Sequence, residues 1–180
     1  MEIDYKVEHR DVKYPRLEFK TGNLLLVLPK NYKDEEQLVR KHKRWIYNKN
    51  LIIETALEIA KSKKLDETRT TEELKHLVHS VSNNFIEEFN FKINDIHFRK
   101  MKTKWGSYSS KSNLTFNTLL KYLPKELIEY VIFHELVHSR QRRHNERFWK
   151  TISKRFEDWK TKEKDLLAYW FLVQKSMSGN

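Results

Sequence analysis

The sequence predicts an α+β fold, and three patterns along the chain support this prediction. Residues 1–30 contain short apolar stretches separated by the turn-forming pair Gly22-Asn23, which is typical of strands joined in a hairpin. Residues 31–90 carry apolar residues at the three- and four-residue spacing of amphipathic helices. Residues 91–180 combine two strand-like stretches with helices, one of which is apolar nearly all round. We therefore expect a small antiparallel sheet packed on helices.

The chain of 180 residues has the length of one domain, so we expect residues 1–180 to fold around a single sizeable core. In the amino-terminal region, strands are predicted over residues 5–8, 17–20 and 24–28, with a turn at residues 21–23. We expect this hairpin to be a scaffold rather than part of a reaction centre.

Two helical regions are predicted to follow the hairpin. Three acidic residues, beginning at Asp34, open an amphipathic helix that runs to about Tyr47, because acids are favourable at a helix amino terminus. Helical composition continues over residues 51–68 and fades into a polar stretch over residues 61–71, which is predicted to be a flexible connection. A second helix is predicted from Thr71 to Phe89.

The carboxy-terminal half is predicted to begin with two antiparallel strands. Residues 93–108 alternate like a strand, and a polar turn separates them from a second strand over residues 114–119. Beyond the next helix, Asn145 is a good N-cap for an aromatic-rich helix, and a final helix is predicted from about Lys162.

Composition limits the classes of protein that the chain can form. There is no cysteine, which excludes disulfides and thiolate metal sites and leaves histidine and carboxylate as metal ligands. The longest apolar run, Leu166–Val173, is too short to cross a bilayer, so we expect no membrane partner. We expect a cytoplasmic monomer.

The net charge of +11 makes nucleic acid a partner hypothesis, since a basic surface attracts polyanions. The lysines, however, are spread along the chain and alternate with acids, as they do on solvated faces.

One segment carries the pattern of a metal site. His134 and His138 lie four residues apart, so on a helix both imidazoles can point at one ion. Glu135 follows the first histidine, which places its carboxylate beside the metal and within reach of a water. A catalytic zinc site normally takes three protein ligands, and His144 is the nearest candidate for the third. The gap of six residues suits a helix that ends near residues 139–142 and a turn that brings His144 back.

The environment of this segment favours a metal site over two incidental surface histidines. The helix that carries it is apolar nearly all round, which predicts burial. Histidine and glutamate on a buried helix are costly unless they are paired or bound to a metal. His76 and His79 lie three residues apart, but no glutamate or third ligand accompanies them, so we expect both at the surface.

Several motifs extend the pattern: Met101–Ser107, Asn113–Leu120, Leu123-Pro124, Leu127-Ile128, Tyr130-Val131, and His144 followed by Phe148-Trp149. Together with the segment His134–His138, they resemble the YgjP-like metallopeptidase family, which is related to the SprT-like zincins. The resemblance covers most of the chain, although its amino-terminal half matches less specific motifs.

The resemblance implies a zincin-like α+β domain that hydrolyses a peptide or protein substrate. It makes His134, His138 and His144 the ligands of one Zn²⁺ per chain, and it makes Glu135 the general base. Zincins hold an extended peptide on a strand edge near the metal helix, and a small residue there permits close backbone approach. Trp105, Gly106 and Ser107 are therefore the predicted substrate-binding residues.

Other functions remain open at this point. The zinc could be structural in a basic nucleic-acid-binding protein, or the protease could act on DNA-bound proteins, as the related SprT-like proteins do. A zinc amidase acting on a small substrate is a third alternative. The candidates for an oxyanion donor are Tyr108, Arg140 and Arg142, which the sequence does not rank.

Overall fold

The computed structural model describes residues 4–20 and 22–178 of the chain. Its strands are β1 (Lys6–Arg10), β2 (Arg16–Lys20), β3 (Asn23–Pro29), β4 (Ile96–Arg99), β5 (Gly106–Tyr108) and β6 (Leu114–Asn117). Its helices are α1 (Glu35–Lys41), α2 (Lys43–Lys61), α3 (Thr71–Phe89), α4 (Lys125–Val137), α5 (Glu146–Arg155) and α6 (Trp159–Ser178), and a short 3-10 helix spans Thr118–Tyr122. The prediction of an α+β fold is confirmed.

The amino-terminal sheet has the strand order β1-β3-β2. β2 and β3 pair antiparallel, which confirms the predicted hairpin. Within its turn, Thr21 lies outside the described residues, and Gly22 has a φ of 89°, which favours glycine. β1 runs parallel to β3 and thus differs from the expected antiparallel sheet. β3 is the central strand, and its run Leu24–Leu28 is buried throughout, as is typical of a strand that is covered on both faces.

The predicted helix over residues 34–47 is divided into two. α1 ends at Lys41, His42 interrupts the helix with a φ of −106° and a ψ of 12°, and α2 then runs from Lys43 to Lys61. α3 spans the predicted residues and begins with a capping box between Thr70 and Glu73.

The polar stretch between α2 and α3 is anchored, which differs from the expected flexible connection. The Arg69 guanidinium donates to the carbonyls of Lys121 at 3.0 Å and Leu123 at 2.7 Å. The backbone N–H of Asp66 also donates to the carbonyl of Tyr122 at 2.9 Å. These bonds hold the stretch against the 3-10 helix that precedes α4.

The second sheet has the order β4-β6-β5, with β4 parallel and β5 antiparallel to β6. The predicted strand over residues 93–108 is therefore interrupted between β4 and β5. The fully buried side chain of Asn117 explains the interruption, because it accepts from the Met101 N–H at 3.2 Å. Its amide also donates to the carbonyls of Met101 at 2.9 Å and Lys104 at 2.8 Å. These hydrogen bonds hold residues 100–105 as a loop. The loop places Gly106 beside α4, the helix that carries the candidate metal ligands.

α4 runs through the main hydrophobic core, where it packs against α3, α5 and α6. Its apolar residues are buried as predicted, and so is Glu135, at 8% exposed. The small amino-terminal cluster comprises Leu24, Leu26, Leu28, Leu38, Val39 and Ile46. The bridging cluster joins α2 to α6 and comprises Ile53, Ala56 and Phe171, with Phe19 and Leu167 packed against it. None of the helices in the described ranges combines the length and the hydropathy that a membrane span requires.

Candidate metal centre and active site

Three histidines converge at the end of α4. α4 ends at Val137 with His138 as its C-cap, slightly earlier than the predicted end near residues 139–142. The chain then turns and returns His144 immediately before Asn145, which is the N-cap of α5 as predicted. The Nε2 atom of His144 lies 3.0 Å from that of His134 and 3.1 Å from that of His138.

This cluster fits a tetrahedral metal ion. With Zn–N bonds of about 2.0–2.1 Å, two nitrogen ligands of one tetrahedral zinc lie about 3.3 Å apart. The ligand atoms of the three histidines lie within 4.8 Å of one another, so one ion can reach all three. Three nitrogen donors leave a fourth position for water or substrate, which is the arrangement of catalytic zinc sites.

Backbone and side-chain acceptors orient two of the imidazoles. Nδ1 of His138 lies 2.9 Å from the carbonyl of Gln141, to which its N–H donates, so Nε2 is left with its lone pair. Nδ1 of His134 lies 3.5 Å from the carboxylate of Glu163 on α6. Burial lowers the pKa of both His138 and His144, which favours the neutral form that binds metals.

Glu163 is itself held by Tyr130, one helical turn before His134. The Tyr130 hydroxyl donates to the Glu163 carboxylate at 2.6 Å. Burial raises the pKa of Glu163, but the hydrogen bonds from His134 and Tyr130 outweigh burial, so the pKa is lowered overall. Burial and the neighbouring Glu163 charge raise the pKa of Tyr130, so its hydroxyl stays a donor. The chain Tyr130–Glu163–His134 therefore joins α4 to α6 behind the cluster.

Glu135 points to the same region from α4, in contact with β5. A Cβ atom built on Gly106 would lie 2.7 Å from Cγ and 2.9 Å from Oε1 of Glu135. Only glycine at position 106 therefore leaves room for this carboxylate. Burial raises the pKa of Glu135 to about 7, although the charges of His134 and Lys104 and the backbone amide of Tyr108 favour the ionised form.

The predicted substrate-binding residues lie beside Glu135. Trp105 is buried, donates through Nε1 to the carbonyl of Leu166 at 3.2 Å, and packs edge to face on Trp170. Gly106 and Ser107 form the start of β5, which is one of the two edge strands of its sheet. Gly106 and Trp105 line one cavity next to the histidines, and Gly106 and Ser107 line another.

Arg140, one of the three candidates for an oxyanion donor, lines neither of the two cavities beside the histidines. Its guanidinium donates to the backbone carbonyls of Phe89 and Asn90 and stacks on the Phe91 ring, so it closes the carboxy terminus of α3. Tyr108 and Arg142 do line the cleft beside the histidines. His76 and His79 are exposed, as predicted.

Sequence reasoning missed Glu163, Tyr130 as its partner, and Asn117. Glu163 lies on a different helix, 29 positions beyond His134, and no local spacing relates the two residues. Asn117 is the last residue of β6, and its side chain makes four hydrogen bonds with the backbone. An asparagine inside the predicted strand over residues 114–119 was the one available signal, because such a side chain must satisfy its polar atoms when it is buried.

We expect Glu163→Gln to weaken zinc binding about 10- to 100-fold, because a neutral amide holds the His134 imidazole less firmly than a carboxylate does. Competition with a chromophoric chelator measures the affinity. Glu157→Gln, a change at an exposed glutamate near the start of α6, is the matched control and should bind zinc as the wild type does. Equal affinities for the two variants would contradict a role of Glu163 in orienting His134.

The fold and the three histidines beside a buried glutamate define a candidate metallohydrolase. Comparison with protein families is consistent with this class, since the model of the YgjP-like metallopeptidase domain matches residues 48–169. The match covers more than half of the chain, so the chain belongs to the YgjP-like family. It is a metallopeptidase, and its substrate is a peptide or protein.

Two solved structures of metallopeptidase zymogens are similar to the chain. Abylysin from Pyrococcus abyssi is 21% identical with a TM-score of 0.43, and the match covers 48% of this chain and 87% of abylysin. Jannalysin from Methanocaldococcus jannaschii is 27% identical with a TM-score of 0.44, and the match covers 54% of this chain and 95% of jannalysin. A search of curated proteins gave no match.

Proposed function

We propose that the chain is a zinc-dependent peptidase in which His134, His138 and His144 hold one Zn²⁺ and Glu135 is the general base. The convergence of the three Nε2 atoms, with His144 at 3.0 and 3.1 Å from the other two, carries this proposal. The buried carboxylate of Glu135, held against Gly106, supplies the second group that hydrolysis requires.

The proposed chemistry divides between the metal and the protein. Zinc bound there would polarise the scissile carbonyl and lower the pKa of a water at the open position. Glu135 accepts a proton from the attacking water and then passes it to the leaving amine. The orienting contacts of His134 and His138 keep the ligand geometry fixed while the proton moves.

The substrate is proposed to bind in extended form along β5. β5 pairs only with β6 among the described strands, so its other edge is unpaired beside α4. An extended peptide can add to such an edge through its main chain. Gly106 places this edge directly against the Glu135 carboxylate, Ser107 lies next to it, and Trp105 lines the adjacent cavity.

We also propose that the chain acts as a monomer of one domain. α2 from the amino-terminal half packs on α6 at the carboxy-terminal end, so both halves contribute to the same cleft.

Counting metal per chain tests the proposal. We expect about one zinc in wild-type protein purified without chelator, and a sharp loss in His144→Ala, because two remaining histidines make an incomplete site. His76→Ala removes an exposed histidine on α3 and is the matched control. Zinc-loaded wild type should hydrolyse unfolded protein substrates. Wild type that takes up no zinc when it is offered, or an equal loss in both variants, would contradict the three-histidine site.

A further inference from the structure

Two openings meet at the proposed metal centre, and the residues that only one of them has are mostly hydrocarbon in the first and mostly polar in the second. They share five residues: Lys104, Gly106, His134, Glu135 and His144. One opening, the apolar cavity, extends toward α2 and α6 and has a volume of about 480 Å³. The other, the polar recess, extends toward the β5–β6 turn and the turn after α4, also with about 480 Å³. A chain crossing the metal centre therefore meets different surroundings on its two sides.

The apolar cavity can hold a large hydrocarbon side chain. Most of its walls are aliphatic and aromatic residues of β2, α2, α6 and the loop before β5: Phe19, Ile52, Ile53, Trp105, Leu166, Leu167, Trp170 and Phe171. Lys49, Thr103 and Glu163 also line it. Ile52 remains 50% exposed there, so folding leaves apolar surface uncovered beside the catalytic groups. Concave sites lined in this way bind apolar groups, since filling them removes hydrocarbon from water.

The polar recess presents hydroxyl groups and a cation. Ser107, Ser109 and Ser110 line it together with Arg142, which is exposed. Arg142 forms no salt bridge with any residue in the described ranges. A guanidinium pairs with a carboxylate through two parallel hydrogen bonds, and serine hydroxyls can complete the donor set. The net charge of +11 also attracts acidic peptides.

We propose that the cleft selects peptides in which a bulky apolar side chain and an acidic side chain lie on opposite sides of the scissile bond. The apolar side chain fills the apolar cavity, and the carboxylate binds Arg142 in the polar recess. This inference rests on the proposed function, because it takes the bond to be cleaved between the two openings.

Binding of six peptides tests the inference without turnover. Fluorescent peptides carry Phe and Glu on either side of one bond, in both orders, with Phe→Ser and Glu→Lys versions of each. Zinc-loaded Glu135→Gln protein binds them in an anisotropy titration. In one of the two orders, we expect each replacement to weaken binding about tenfold or more, as loss of an apolar or a charge-paired group does. Equal affinities across the set would overturn the inference.

One variant in each opening, with a control at the neighbouring position, shows which opening is responsible for which side-chain preference. Ile52→Lys should abolish the preference for Phe over Ser, whereas Leu51→Lys, a change at its neighbour outside the cavity, should keep it. Arg142→Glu should reverse the preference for Glu over Lys, whereas Arg143→Glu should not. A uniform loss with all peptides on Arg142→Glu would indicate a different role for Arg142 and overturn the inference.

Cleavage by wild type separates the two proposals. Hydrolysis of all peptides at equal rates would contradict the specificity and leave the peptidase proposal standing. Selective binding without any hydrolysis would contradict the peptidase proposal and leave the two subsites standing.

Discussion

Replacing Glu135 by glutamine is expected to lower the rate of peptide hydrolysis about 1,000-fold while zinc stays bound, because the amide cannot accept the proton of the attacking water. The amide has nearly the shape of the carboxylate, so it fits the space beside Gly106. Single-turnover hydrolysis and metal content, measured on the same preparation, check both parts of this prediction.

Glu126→Gln supplies the matched control for the general base. Glu126 is exposed in the first turn of the same helix, so its replacement changes the charge by the same amount away from the cleft. We expect it to hydrolyse peptides at close to the wild-type rate. A Glu135→Gln protein that cleaves as fast as Glu126→Gln would remove Glu135 from the chemistry.

Replacing Gly106 by alanine is expected to reduce hydrolysis about 100-fold with zinc retained. The added Cβ would lie 2.7 Å from Cγ of Glu135, which is too short for two carbons, and Glu135 is buried and cannot swing into solvent. Displacing a catalytic group by about 1 Å typically costs this much. Steady-state rates with metal analysis and a melting curve for the folded state provide the measurement.

A double-mutant cycle identifies the cause of this loss. Glu135→Ala removes Cγ and the carboxylate, which are the atoms that the new methyl group meets. The combined Gly106→Ala, Glu135→Ala protein should therefore be about as active as Glu135→Ala alone. Fully additive losses would show that position 106 acts through something other than Glu135.

Local patterns in the sequence predicted most of the helices and identified the three histidines as candidate metal ligands. The periodic apolar pattern identified α3 and α4, and Asn145 was recognised as a cap from its residue type. The strand order could not be predicted in the same way. β1 pairs in parallel with β3, and no turn connects these two strands directly. The break at His42 was missed for a similar reason, since the helical pattern continues across it.

Residues of the candidate site were likewise predictable where they lie close together in the sequence, and not where they lie far apart. His134, Glu135, His138 and His144 lie within eleven positions, so their spacing already implied a common centre. Glu163 reaches His134 only because α6 packs beside α4. The basic composition, by contrast, made nucleic acid a partner hypothesis, and this stays a prediction.

Residues of the bridging cluster form the part of the apolar cavity that lies away from the histidines, whereas the histidines lie next to the main hydrophobic core. Ile53, Leu167 and Phe171 can therefore be exchanged for larger or smaller residues while α4 keeps all of its own neighbours. Selectivity and bond cleavage are separable in such an arrangement. Relatives could acquire new side-chain preferences by repacking one small cluster, with the hydrolytic machinery inherited unchanged.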